Sequence, residues 1–188
     1  MNQPSSSHAQ AIRLAQRIIA KKPIFLDTET TGLDKKAEII EIAIIEHDGT
    51  LLYQSLIKPL NSDPSATRQI HGITVDLLKG AKPWPFTWND IRGLVFGRIV
   101  GIYNAEFDLR MIDQTNSIYH IPKHQLKTFD IMTIFAQYRG NWSSRYQSYQ
   151  SYKQEDAARY CGIYVKKTHR AMEDAFLARN ILFHIAKG

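Results

Sequence analysis

The sequence predicts an α/β fold on a mixed sheet, and three observations carry that reading. Three strand-like runs follow one another early in the chain: "PIFLDTE", "EIIEIAIIEH" (residues 38–47) and "TLLYQSLIKP" (residues 50–59). Asp48-Gly49, between the last two, is a strong hairpin signal, so the sheet opens with antiparallel neighbours. From residue 98 onward, strand-like and helical segments alternate, which calls for parallel crossovers. A length of 188 residues makes one domain the default, with room for a substantial core. The expected division is an N-terminal arm and helix over residues 1–22 and a core over residues 23–187.

Element by element, residues 1–7 read as a frayed polar arm. Ser7 is placed to cap a helix carrying Ile12, Leu14, Ala15, Ile18 and Ile19, which must end before Pro23. Arg13 and Arg17 sit one turn apart on it, as a basic contact face or a solvated one. After the three strands, "DPSATRQIHGITVDLLKG" reads as short helical pieces. "WPFTWNDIRGLVFGR" reads as a helix carrying Trp88, Ile91, Leu94 and Val95. "RIVGIYN" (residues 98–104) is a strand, followed at once by a helix from Ala105 to about Asn116. "LKTFDIMTIFAQYRG" is a short strand into a helix. A polar, tyrosine-rich loop covers residues 141–152, and two helices close the chain, over 154–161 and 171–187. The last carries Ala171, Ala175, Ala178, Leu182 and Ile185 on one face. No internal repeat or linker divides the chain.

Lys plus Arg number 24 against 18 Asp plus Glu, and the resulting +6 suits a polyanionic partner, nucleic acid first, as well as simple solubility. The one cysteine, Cys161, cannot form an internal disulfide, and no Cys/His cluster has zinc spacing. A reducing, cytoplasmic setting is expected. The start "MNQPSSSHAQ" lacks the basic and apolar regions of a secretory signal. No apolar run approaches the roughly 18–20 residues of a membrane span, so no membrane partner is expected.

The stretch "FLDTETTGLD" (residues 25–34) sends an apolar strand into two acids spaced by one residue. Residues i and i+2 of a strand share a side, so Asp27 and Glu29 project together. Such a pair repels unless it shares a proton or a cation. Hard divalent ions take oxygen ligands of this kind. Alone, the pair also reads as one solvated acid and one turn cap. "YNAEFDLRMI" places Asp108 early in a helix that follows a strand, where the helix dipole favours any acid. "HRAMEDA" places His169 just before the last helix and Asp174 inside it, on the margin of its apolar face. Together these segments supply four carboxylates and one imidazole. Four carboxylates can hold two divalent ions roughly 3.5–4 Å apart, an arrangement that serves phosphoryl chemistry. A histidine can take a proton from an attacking water near neutral pH. No phosphate-binding glycine loop, dinucleotide fingerprint or nucleophile elbow is present.

"DTETTG", "NAEFD" and "HRAMED" resemble the three exonuclease motifs of the DEDDh group, the family of the proofreading epsilon subunit of bacterial DNA polymerase III. "IHGIT" (residues 70–74) resembles a segment between the first two. The resemblance runs from Ile24 to about Ile185. It implies a ribonuclease H-like fold with a five-stranded mixed sheet, three strands antiparallel and then two parallel, flanked by helices. It also implies 3′-to-5′ exonuclease activity that releases nucleoside 5′-monophosphates with two divalent ions, Mg²⁺ or Mn²⁺. By that similarity Asp27 would bridge both ions, Glu29 and Asp174 would complete the first site, Asp108 would serve the second, and His169 would be the general base. The Thr30 backbone would meet the 3′-terminal hydroxyl, Leu33 would wedge against the last base, and His71 and Phe107 would line the terminal nucleotide. Leu33 and Phe107 could equally be core, and His71 a structural histidine. Where the family often has a histidine before Asn-Ala, this chain has Tyr103.

Nucleic acid with a free 3′ end is therefore the expected partner. The motif spellings tilt toward DNA, with an RNA-trimming enzyme as the alternative. A non-catalytic nucleic-acid-binding module is the rival from another class, but all five catalytic positions are filled. Little chain follows the third motif, which favours a stand-alone or small accessory enzyme and leaves a polymerase or repair partner open. The segment "RGNWSSRYQSYQSYK" interleaves Trp142, Tyr146, Tyr149 and Tyr152 with Arg139, Arg145 and Lys153. It is either a strand-binding edge or a loop packed on the domain.

Overall fold

The computed structural model describes residues 4–166 and 169–188. Eight strands and eight helices occur among them: α1 (Pro4–Ile19), β1 (Ile24–Thr30), β2 (Ile39–Ile45), β3 (Leu51–Lys58), α2 (Arg68–His71), α3 (Val75–Leu78), β4 (Lys82–Pro83), α4 (Trp84–Val95), β5 (Ile99–Ile102), α5 (Ala105–Ile118), β6 (Lys127–Asp130), α6 (Ile131–Arg139), β7 (Trp142–Ser143), β8 (Ser148–Tyr149), α7 (Gln154–Tyr160) and α8 (Ala171–Lys187). A single 3-10 turn, Pro64–Ala66, precedes α2.

The main sheet has the order β4-β3-β2-β1-β5-β6. The first three strands are antiparallel, and β1–β5 and β5–β6 pair in parallel. Gly49 makes the β2–β3 turn in the left-handed region, at φ +97°. The sheet has six strands, not five. The extra one, β4, pairs in parallel with the outer edge of β3 through Ile57↔Lys82 and Lys58↔Pro83. It is two residues long, too short to leave a periodic trace in sequence.

Strand β1 lies inside the sheet, and its side chains alternate between two cores. Ile24 and Leu26 join Ile42, Ile44, Trp84, Trp88, Met111 and Ile112, so α4 and α5 cover that face. Phe25 points the other way, into a core with Phe135, Ile181, Leu182 and Ile185 from α6 and α8. The alanine stripe of α8 is what lets this helix settle on the sheet. Gly101 of β5 is needed for close packing: a Cβ there would lie 2.5 Å from Phe129 Cζ and 2.9 Å from Phe25 Cδ1.

Two expectations at the N-terminus are corrected. The helix begins at Pro4, and Ser7 is buried within it rather than capping it. Pro is tolerated in a helix's first turn, so the polar start did not prevent winding. Residues 1–3 of the expected arm lie outside the described residues. The loop over 141–152 carries a small antiparallel hairpin, β7–β8. No helix among the described residues is long and apolar enough to cross a membrane.

Candidate active site

The alternation that sends Phe25 toward α8 sends Asp27 and Glu29 the same way. Asp174, in the first turn of α8, meets them there. Oxygens of Asp27, Glu29 and Asp174 lie within 4.8 Å of one another. Asp108 reaches the site from α5, in the layer on the other face. The Thr28 hydroxyl, on the opposite side of β1 from Asp27, donates to Asp108 Oδ1 at 2.7 Å and fixes that carboxylate although it is buried.

These acids oppose one another. Burial, then the charges of Asp108, Asp174, Glu29 and Glu41, push Asp27 well above the usual carboxylate range. Burial, then Asp174, Glu41 and Asp108, push Glu29 up to about 8, against a lowering pull from Arg170. Asp108 rises to about 7, chiefly by burial, with the Thr28 hydrogen bond opposing the rise. Asp174 rises to about 6 for the same main reason, opposed by His169. A cluster of all-oxygen donors that repel one another in a desolvated site is what a hard divalent cation would relieve, so the residues fit such an ion.

His169 sits at the rim. Its Nε2 lies 2.9 Å from Glu155 Oε1 and its Nδ1 lies 3.4 Å from Asp174 Oδ2. Both ring nitrogens therefore face carboxylates. The neighbouring Arg170 reaches back to β2, where its Nε and Nη2 donate to Glu41 at 2.9 and 2.6 Å. Glu41 is buried, pairs in register with Glu29, and also accepts the Ala171 N–H at 3.2 Å. One carboxylate thus caps the start of α8 and ties it to the strand beside the acids.

A cavity of about 720 Å³ opens beside this cluster, lined in part by Leu33, Tyr103, Phe107, Glu155, His169 and Asp174. Leu33 is 74% exposed, and the Arg110 guanidinium lies 5.3 Å over the Phe107 ring while donating to the Leu33 carbonyl at 3.3 Å. Thr30 is buried, and its carbonyl accepts from the Thr67 hydroxyl at 2.9 Å. His71 is buried behind it and does not line the cavity. Its Nδ1 accepts the Ile73 N–H at 3.0 Å and its Nε2 faces Thr67 Oγ1 at 2.8 Å, so both nitrogens are spent internally. Tyr103 donates to the Tyr152 carbonyl at 2.9 Å, and burial raises its phenol. Burial also pushes the Cys161 thiol up to about 11, in keeping with a packed rather than a reactive cysteine.

Four contributors escaped the sequence reading: Thr28, Glu41, Glu155 and Arg170. Glu41 carried a signal, since an acid among consecutive isoleucines must find a cation once buried.

The exonuclease family model, RNase_T, matches residues 24–182. The chain belongs to this exonuclease family. It is 34% identical over 191 residues to the uncharacterized exonuclease CP81 of Escherichia phage 186, with 98% of each chain covered. It is 33% identical over 103 residues to the DNA polymerase III subunit epsilon of Rickettsia typhi, covering 52% of this chain and 45% of that subunit. Its fold is shared with Exonuclease X, solved in complex with 5′ overhanging duplex DNA, at TM-score 0.62 and 23% identity over 87% of this chain and 90% of that one. The nuclease domain of 3′hExo, a DEDDh family member solved bound to rAMP, matches at TM-score 0.68 and 16% identity over 89% and 93%. The resemblance read from the three motifs is borne out, and the mixed sheet with its helices is the ribonuclease H-like fold.

Proposed function

We propose that this nuclease is a divalent-metal-dependent 3′-to-5′ exonuclease that releases nucleoside 5′-monophosphates, with single-stranded DNA as the preferred substrate. The observation that carries this reading is the convergence of Asp27, Glu29 and Asp174 within 4.8 Å, in a setting that opposes their charge. Those three would hold one ion, and Asp27 with Asp108 a second. Bound there, Mg²⁺ or Mn²⁺ would neutralise charge on the phosphate and make water a better nucleophile at neutral pH. The activity is assigned to one domain, with its core over residues 23–187.

The rest of the mechanism belongs to the chain's own groups. Thr28 holds Asp108 in place, and the Glu41–Arg170 pair holds the start of α8 so that Asp174 faces β1. Leu33 and Phe107 offer apolar surface to the terminal base, and the Thr30 backbone is assigned to the 3′-terminal hydroxyl. His71 supports that strand end through Thr67 and Thr30. His169 is assigned as general base. A neutral imidazole must keep one nitrogen free to accept a proton, so His169 acts from a rotamer released from Glu155 or Asp174.

The match to a DNA polymerase subunit favours DNA and supports a polymerase or repair partner. The rAMP-bound neighbour supports RNA trimming as the second reading. The test is chromatography of the products from a single-stranded oligonucleotide with Mg²⁺. Accumulation of 5′-mononucleotides, abolished by EDTA and restored by added Mg²⁺, is expected. Full activity in excess chelator, or release of 3′-monophosphates, would contradict the proposal.

A further inference from the structure

The hairpin β7–β8 leads directly into residues 151–154, which line the cavity, and takes no part in the roles assigned above. We propose that it is a base-stacking platform for the single strand behind the 3′-terminal nucleotide, a proposal that rests on the exonuclease reading.

The hairpin is built rather than loose. Trp142 pairs with Tyr149 and Ser143 with Ser148, and the Gln150 N–H donates to the Asn141 carbonyl at 2.8 Å. Gln147 turns the chain at φ +50° and its amide donates to the Ser144 carbonyl at 2.7 Å. At its base the Arg139 guanidinium lies 3.7 Å over the Tyr160 ring and 5.4 Å over the Tyr152 ring.

This ordered ribbon leaves the Trp142 and Tyr146 rings exposed. Trp142 is 53% exposed, whereas Trp84 and Trp88 are 0% and 4% exposed. The Tyr149 ring meets Trp142 edge-on at 5.1 Å. Tyr146 is 70% exposed with Arg145 5.5 Å over its ring. Large aromatics left exposed on an ordered hairpin suit a contact surface. The charge names the ligand. Residues 131–154 contain no Asp or Glu, yet they carry Arg139, Arg145 and Lys153. None of these three cations has an ion pair among the described residues, and aromatic faces beside such cations suit bases and phosphates of a single strand, in any sequence.

Continuity with the site gives the register. The chain leaves β8 through Ser151, Tyr152 and Lys153, all of which line the 720 Å³ cavity. The Tyr103 hydroxyl pins the Tyr152 carbonyl, coupling the ribbon to the strand that precedes Asp108. A strand with its 3′ end in the cavity can therefore leave along this side and meet Trp142 and Tyr146.

Trp142 is the one exposed tryptophan among the described residues, so quenching by iodide, which the buried Trp84 and Trp88 escape, reads the platform. In EDTA, an oligothymidylate of about ten nucleotides is expected to shield Trp142 from iodide quenching, and a dinucleotide is not. Trp142→Ala and Tyr146→Ala, both at exposed positions, are each expected to raise the oligomer's Kd roughly 5- to 150-fold. With Mg²⁺, the ratio of kcat/KM for oligomer over dinucleotide should fall by a similar factor. If the oligomer binds while iodide still reaches Trp142 and both variants keep wild-type affinity, the platform is refuted and the hairpin becomes a candidate for protein contact. If Trp142 is shielded but the wild type cleaves neither substrate, the exonuclease reading fails and the platform stands.

Discussion

Replacing Glu29 by glutamine is expected to stabilise the metal-free protein at alkaline pH and to remove much of its stabilisation by divalent ions. Glu29 rises to about 8 from an ordinary value of 4.5. A carboxyl that binds its proton more tightly when folded contributes most stability at low pH. That contribution is lost as pH climbs from the unfolded value toward the folded one. The loss therefore falls between about pH 4.5 and 8. One pKa unit corresponds to about 1.4 kcal/mol, so the change between pH 6 and pH 8 is about 2 kcal/mol from Glu29 alone. For a chain of this length that is a fall in Tm of roughly 4–8 °C. Calorimetry in EDTA at both pH values should show a fall of at least this size in the wild type, since Asp108 and Asp174 are raised into the same range, and a shallower one in Glu29→Gln. Added Mg²⁺ should raise the wild-type Tm more at pH 8 than at pH 6, because only ionised carboxylates hold the ion well. Equal slopes for both proteins, or a metal-induced shift as large in the variant, would refute the argument.

Three further outcomes are expected. His169→Ala should cut kcat by roughly 10²–10⁴-fold while keeping the Mg²⁺-induced rise in Tm; a near-normal rate would remove the general base from the mechanism. Arg170→Ala leaves the buried Glu41 with only the Gln54 amide and the Ala171 N–H as donors among the described residues and should cost about 1–3 kcal/mol, with much of it recovered when Glu41→Gln is added, as read by urea denaturation. Gly101→Ala forces a Cβ against Phe25 and Phe129 and should cost about 1–3 kcal/mol in the same assay; an unchanged midpoint would mean that these rings are not packed as described.

Much of this fold was legible because its signals are local. Period-two alternation carried β1 and the shared side of Asp27 and Glu29. Asp48-Gly49 marked its hairpin, and the alanine stripe marked α8. The parts that escaped depend on register and packing. Nothing local shows that Lys82 and Pro83 join the edge of β3, because pairing over two residues has no period. Glu41 stands opposite Glu29 only once β1 and β2 are aligned, and Arg170 finds it only once α8 docks. Glu155 meets His169 through the packing of α7 beside α8. Sequence leaves His71 open between lining the nucleotide and a structural role; its ring bonds to Thr67 and Ile73, a distinction that turns on which way a buried ring faces.

The central claim is that the β1, α5 and α8 carboxylates make a metal-dependent exonuclease site working from the 3′ end. The most direct measurement is a time course on matched 5′-labelled single-stranded DNA and RNA with Mg²⁺, run for the wild type and Asp27→Asn. The account predicts a ladder that shortens progressively from the 3′ end, faster on DNA, and no shortening by the variant. Immediate release of short 5′-labelled fragments, or an undiminished ladder from Asp27→Asn, would contradict it.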